Sequence, residues 1–344
     1  MKALSQLTVT WLRKRSHLLL NEPSPPQRIL VRCKSSAVTA TLDFGHSRRQ
    51  VVVKRHPPAE NALEPGVLFA VHESIRAHGE PLAHSLPRFL AYDADHRLIV
   101  MEYVAGSTLL KTLTDSLGFF AQTPDETSSL LEEAARVLAA LHNLPPDEVG
   151  VPPLECPNSI YLARFEKTWN DPLLQRFLPG ICRSPKQLYD RLLPSFFAAD
   201  GRHLILTDPQ PKNVLVRGSG QVCFIDVDYS RGNAAIDLAE VLVALDRLGL
   251  RHPLPSSALK IEMWKRSFLG AYYRHGDTAV ALDLIFFYCY MLLQAMREHM
   301  TRRPWFRRYL TSYYARRLRQ FLSTLMHATP SDVRRPTPEL FVPT

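Results

Sequence analysis

The chain has 344 residues, 46% hydrophobic and 22% charged, which is ordinary for a globular protein that buries a sizeable core as one large domain or two lobes. Five scattered cysteines (Cys33, Cys156, Cys182, Cys223, Cys289), none at two-residue spacing, exclude a zinc-type motif and fit reduced thiols in a cytoplasmic setting. The net charge of +9 sits at the two ends: residues 106–296 carry 18 basic and 21 acidic side chains, so overall basicity says nothing of a substrate and makes nucleic acid an unlikely partner.

Residues 1–25 read as an N-terminal extension closed by the Pro-rich break NEPSPP. The first twenty residues hold no acid, and most of their charge (Arg13, Lys14, Arg15, after Lys2) follows the apolar stretch. That order excludes a secretory signal and leaves a mitochondrial-type presequence or a docked helix. RILVRCK, AVTATLDF and RQVVVKRH then predict three antiparallel strands. Lys54 stands near the end of the third, where it reaches a triphosphate held over the sheet or is simply solvated. Ser35 and Ser36, in the turn before the second strand, offer N–H groups and hydroxyls to a phosphate; no Gly-rich loop is present.

The spacing of Leu68, Val71 and Ile75 predicts a helix. Glu64 at its start is the candidate partner of Lys54, with Glu60 and Glu73 as rivals; the alternative is an acid that merely suits a helix's first turn. Two strands around an Asp-Ala-Asp-His turn end in Glu102-Tyr103-Val104-Ala105-Gly106. Thr123, Pro124 and Glu126 form a capping box opening a helix whose apolar face is Leu130, Ala134, Leu138 and Leu141, with His142 structural. Leu162, Phe165, Trp169, Leu173 and Phe177 recur at helical spacing, as in core or helix-pair packing.

The most informative stretch is Leu204 to Ser230: strand, loop, strand, Gly-Ser-Gly turn, strand. Asp208, Asn213 and Asp226 fall at the loop and the last strand's end. An acid, an amide and a second acid meeting in one cleft suit phosphoryl transfer: Asp208 orients a hydroxyl and takes its proton, while Asn213 and Asp226 hold Mg²⁺ against nucleotide phosphates. Asp228, two residues on and on the same face of a strand, either helps with a second metal or caps the turn. The apolar run Ala279 to Met296, interrupted by Asp283 and Gln294, reads as a core helix and not a transmembrane segment. In the basic tail, arginines alternate with aromatics. That pattern suits an anionic surface, but Leu310, Tyr313, Tyr314, Leu318 and Phe321 predict a packing helix with its arginines in water.

These motifs in this order resemble the aminoglycoside phosphotransferase and choline kinase branch of the protein-kinase-like superfamily, over roughly residues 28–300. Leu206 and Thr207 stand where that branch has His and Gly. The resemblance implies an α+β, bilobal protein-kinase-like fold, with a small antiparallel lobe over 26–104, a larger helical lobe over 105–330, and a tail over 331–344. It further implies ATP and Mg²⁺ as cofactors and a small-molecule hydroxyl acceptor. Backbone groups near Glu102 and Val104 would hydrogen-bond adenine at a hinge, Lys54 would grip the donor phosphates, and Asp237 would tie a helix to the catalytic loop. The alternatives are a degenerate fold that binds nucleotide or a partner without turnover, and a kinase acting on a protein or a lipopolysaccharide sugar.

Overall fold

The computed structural model describes residues 2–34, 37–56, 63–118, 124–153, 157–177, 202–218, 220–276, 281–302 and 312–319. Helix α1 (Lys2–Leu19) precedes β1 (Arg28–Lys34), β2 (Ala37–Asp43) and β3 (Arg48–Arg55). Alternation in β2 puts Val38, Ala40 and Leu42 inside, which is the period-2 signature of a half-buried strand. After β3 come α2 (Pro65–Ala77), the short α3 (Leu82–Ser85), β4 (Phe89–Asp93) and β5 (Leu98–Glu102). The five strands make one antiparallel sheet ordered β1-β2-β3-β5-β4. Helix α1 is docked: Trp11 and Leu12 pack with Leu42, Phe44, Val51 and Val100 in a small core of their own.

The chain leaves this sheet through Gly106. A Cβ there would fall inside the contact distance of the Val216 carbonyl oxygen, so only glycine permits the approach. Next come β6 (Ser107–Thr108), α4 (Leu109–Ser116), α5 (Pro124–His142), α6 (Pro157–Trp169) and α7 (Pro172–Phe177). The helical spacing from Leu162 to Phe177 is met by two helices, parted at Asn170 and Asp171, because the residue before a proline disfavours helical backbone. Phe165 and Trp169 are buried as expected, and Phe165 packs against Phe286 and Tyr290.

Short strands β7 (His203–Leu206), β8 (Val214–Val216), β9 (Val222–Phe224) and β10 (Tyr229–Gly232) follow, pairing β10 with β7 and β6-β8-β9 in order. Three long helices complete the larger part: α8 (Ala235–Arg251), α9 (Pro255–His275) and α10 (Ala281–Arg302). Residues 284–296 of α10 are buried but for Gln294, so this run is a core helix. Among the described residues no helix is long and apolar enough to cross a membrane. The architecture is α+β and bilobal, a sheet-rich region before a mainly helical one.

In the helical stretch 312–319, Tyr314 and Leu318 face inward, as the aromatic stripe predicts, and Arg316 and Arg319 are exposed. Arg317 corrects the expectation that the arginines stay wet. It is nearly buried, and its guanidinium donates to Asp246 Oδ1 at 2.9 and 2.8 Å and contacts Glu262. Burying a guanidinium is costly unless paired, and Asp246 supplies the pair. Thr123, Leu310 and Phe321 lie outside the described residues.

Candidate active site

Strand β3 delivers Lys54 opposite Ala37 of β2 and Ile99 of β5, in mid-sheet. Its ammonium does not meet Glu64. It contacts the Asp226 carboxylate, 172 positions away in sequence. Glu64 instead takes both of its oxygens to Arg97 Nη1, each at 2.6 Å. The reason is local. Glu64 is the residue before α2, and Arg97, in the β4–β5 turn at φ 53°, is fixed beside it by bonding His56 O through Nε at 3.0 Å. Of the rivals, Glu73 lies on α2, 3.8 Å from Arg76, and Glu60 lies outside the described residues, as do Ser35 and Ser36.

Strand β5 ends at Glu102, whose carboxylate accepts from Arg88 N at 2.9 Å while its own N–H donates to Arg88 O at 2.9 Å. Val104 is half-buried in the non-strand segment between β5 and Gly106. The pair therefore stands where the sheet hands over to the helical region.

The segment bearing Asp208 is held from both sides. Asp237 is fully buried on α8 and accepts from Leu206 N at 2.6 Å, so the helix grips the end of β7 two residues before Asp208. His142 Nε2 lies 3.1 Å from the same carboxylate oxygen and its Nδ1 2.9 Å from Tyr272 OH, in keeping with the structural role expected of it. Leu206 packs into the core at 2% exposure, an apolar prop where the resembled branch has His. Asp208 pairs through Oδ2 with Lys212 Nζ at 2.9 Å, while its Oδ1 is buried without a partner. A 3₁₀ turn, Pro211–Asn213, brings Asn213 back so that Nδ2 donates to Asp208 O at 3.0 Å. Asn213 O in turn accepts from Ile225 N at 2.9 Å, which fixes the residue before Asp226.

Asp226 and Asp228 lie beyond β9 in the non-strand link to β10, which corrects the expectation that both share one strand face. The chain turns there because β10 pairs with β7 and not with β8. Asp226 is exposed. Asp228 is largely buried, with Oδ1 unpartnered and Oδ2 3.8 Å from His56 Nε2. Burial is the largest influence on both of these groups: it pushes the Asp228 carboxyl up and the His56 imidazole down, against their mutual attraction. Glu240, one residue after the Ile-Asp-Leu-Ala run, is pushed well up by burial and by the nearby charges of Asp208 and Asp237.

A scan against family models matches residues 34–276 to the phosphotransferase enzyme family. The chain belongs to that family. No curated protein matches it. Its fold resembles a solved structure from Ralstonia eutropha JMP134 provisionally assigned as an aminoglycoside phosphotransferase (TM-score 0.51, 13% identity, covering 91% of this chain and 92% of the other). Two others are the macrolide 2'-phosphotransferase of Brachybacterium faecium (0.48, 13%, 88% and 97%) and the ethanolamine kinase of Plasmodium vivax (0.45, 12%, 83% and 80%).

Within this phosphotransferase, sequence reasoning missed Lys212, His56 and Glu240. Lys212 had a signal, four residues after Asp208. His56 had one too, two residues beyond Lys54. Glu240 had none beyond its place in an apolar helix.

The donor set is oxygen only: Asp226, the buried free oxygen of Asp228, and the Asn213 amide, whose nitrogen is already spent on Asp208. Among the described residues no three His, Cys, Asp or Glu side chains form a cage. Two acids and an amide fit a hard cation such as Mg²⁺, which keeps several waters and takes further oxygens from phosphate.

Proposed function

We propose that this chain is an ATP- and Mg²⁺-dependent phosphotransferase that moves the γ-phosphoryl group to a hydroxyl of a small molecule. The observation that carries the reading is the meeting of Lys54 and Asp226: the sheet's lysine and the hairpin's acid share one place, and both are needed at a nucleotide triphosphate. Lys54 binds the donor phosphates. Asn213 and Asp226, with Asp228 beside them, hold the metal, which when bound neutralises charge on the transferring group. The hinge near Glu102 and Val104 receives the adenine through backbone groups. Glu64, held by Arg97, steadies the entrance to α2 and does not grip Lys54.

Asp208 takes the acceptor's proton through Oδ2, its open oxygen, which Lys212 holds in the resting cleft and yields to the acceptor hydroxyl; Oδ1 is closed off from solvent. The acceptor oxygen forms a bond to the γ-phosphorus, the bond to the ADP oxygen breaks, and the acceptor's proton passes to Asp208. The lobe boundary falls at 104/105. Acceptors of the class include sugars, amino alcohols and antibiotic-like alcohols.

The test is a metabolite screen for ATP consumption, with Asp208→Asn as control and a nucleotide thermal shift with and without Mg²⁺. Loss of the base lowers turnover by about 10²- to 10⁴-fold. Equal ATP stabilisation with and without metal, unchanged by Asp226→Ala, sinks the catalytic reading in favour of a non-catalytic binding protein.

A further inference from the structure

Helix α2 carries a histidine that the proposed chemistry does not use. His72 is fully buried on the inner face of α2, and Tyr229, the first residue of β10, is buried with it. His72 Nδ1 lies 2.8 Å from Tyr229 OH and Nε2 lies 2.6 Å from Pro87 O. A carbonyl oxygen can only accept, so Nε2 carries the proton and Nδ1 offers its lone pair. The tyrosine hydroxyl is therefore the donor. The ring stacks on Phe89 at 3.7 Å and 11°. One imidazole thus ties α2, the approach to β4, and β10, across 157 positions of sequence to Tyr229.

What Tyr229 holds at its other edges makes this tie more than packing. Its backbone pairs with Leu206, two residues before Asp208. It directly follows Asp228, whose carbonyl accepts from Thr207 N at 3.3 Å. The proposed base and both proposed metal acids therefore lie within three residues of a strand pair whose first side chain is bonded to α2. The exposed Lys54–Asp226 contact joins the same two regions, but it is open to competition by any cation or phosphate.

Resting on the phosphotransferase reading, we propose that His72 and Tyr229 are a positioning pair: their hydrogen bond fixes the segment bearing Asp226 and Asp228 against α2, so that Mg²⁺·nucleotide binding depends on the seating of that helix. Neither touches substrate. Burial keeps His72 neutral, its pKa lowered to about 3, which preserves the donor and acceptor order.

Tyr229→Phe tests this, because it removes one hydroxyl and leaves the ring in place. The expected result is about a tenfold rise in the Mg²⁺ concentration for half-maximal ATP binding, with ATP binding without metal changed less than twofold. Amide exchange should quicken both along residues 65–77 and at 203–206. His72→Gln should give the same pattern, and the double variant should be no worse than either single one, since the two act as one unit. A merely structural bond lowers the melting temperature and leaves the Mg²⁺ dependence within twofold; that outcome overturns the proposal. So does exchange that quickens only around residue 229. If the wild-type protein shows no Mg²⁺-dependent ATP binding at all, the phosphotransferase reading fails on its own. The exchange pattern then decides the coupling: quickening at both segments supports it, and quickening at one defeats it.

Discussion

Among the described residues, two Lys–Asp pairs join separate elements of the chain, and they differ in nearly everything but composition. Lys54 meets Asp226 at the mouth of the site, with the aspartate 45% exposed. Lys265 meets Asp246 at 2.6 Å with both side chains at 0% exposure. Around Asp246 the other partners are all present: Tyr288 OH donates at 2.6 Å, Arg317 donates twice, and Tyr313 OH reaches its backbone oxygen at 2.9 Å. Burial pushes Asp246 up, but Lys265 and Arg317 outweigh it and hold the carboxyl below its usual range. The lesson is that a closed, fully satisfied pair builds structure, whereas a half-wet pair with few partners is a place for exchange. A ligand's phosphate or cation displaces the second kind at small cost and cannot reach the first.

The largest effect that would break this contrast lies at the buried pair. Asp246→Ala leaves Lys265 without its carboxylate and Arg317 with Glu262 alone, and urea unfolding should show a loss of about 3–5 kcal/mol. A loss under about 1 kcal/mol would mean that water enters the cluster or that Glu262, already beside Arg317, also takes up Lys265, and the distinction between the two pairs would fall.

Next in size is a pH effect at another closed site. His72 is held down to about 3, chiefly by burial, with Arg76 opposing its charge and Tyr229 and Pro87 as its neutral partners. Its ordinary value is 6.5, so the unfolded chain takes up a proton that the folded chain excludes. The stability this contributes is complete above pH 6.5 and is lost as pH falls towards 3, at about 1.4 kcal/mol per pH unit. Urea midpoints from pH 7 to pH 4 measure it. His72→Gln should be less stable at pH 7 and should lack that portion of the slope; an unchanged slope assigns the acid sensitivity elsewhere.

How much of this was legible follows the same division. Lys54, Asp208, Asn213 and Asp226 stood out as candidates by short-range order, a strand end and a hairpin with Gly218 and Gly220 at its turn, and Asp237 by the family resemblance of its Ile-Asp-Leu-Ala run. The closed cluster was not. Asp246 and Lys265 look like ordinary helix charges in the sequence, and Arg317 looks like one more solvated arginine of a basic tail. Their burial is decided by how α8, α9 and residues 312–319 stack, which no local spacing encodes. His72 hid for the same reason, since its partner is on β10. The fate of Glu64 was obscured by Arg97, whose left-handed backbone in a four-residue turn aims it at a helix start 33 positions upstream.

Smaller changes are expected at the exposed pair. Lys54→Ala removes a partner from a half-wet carboxylate, so stability should shift by less than about 1 kcal/mol. ATP affinity should fall at least tenfold in isothermal titration with Mg²⁺. A stability loss as large as that of Asp246→Ala would make Lys54–Asp226 a structural strut and remove the ground for placing phosphates there.

The smallest effect separates two ways of organising the same cleft. Were Glu64 the partner that aims Lys54, Glu64→Gln would free the lysine and weaken ATP binding by an order of magnitude or more. The geometry gives Glu64 to Arg97 by two oxygens at 2.6 Å and gives Lys54 to Asp226. Glu64→Gln should therefore change ATP affinity less than threefold, and its cost should appear as a slight loosening of the β4–β5 turn, measurable as faster amide exchange near Arg97. Arg97→Gln should reproduce that loosening, since it removes the other half of the pair. A tenfold affinity loss in Glu64→Gln that Arg97→Gln does not share would show the carboxylate changing partners when nucleotide enters. The Lys54–Asp226 contact would then be the resting arrangement of a cleft that rearranges on binding.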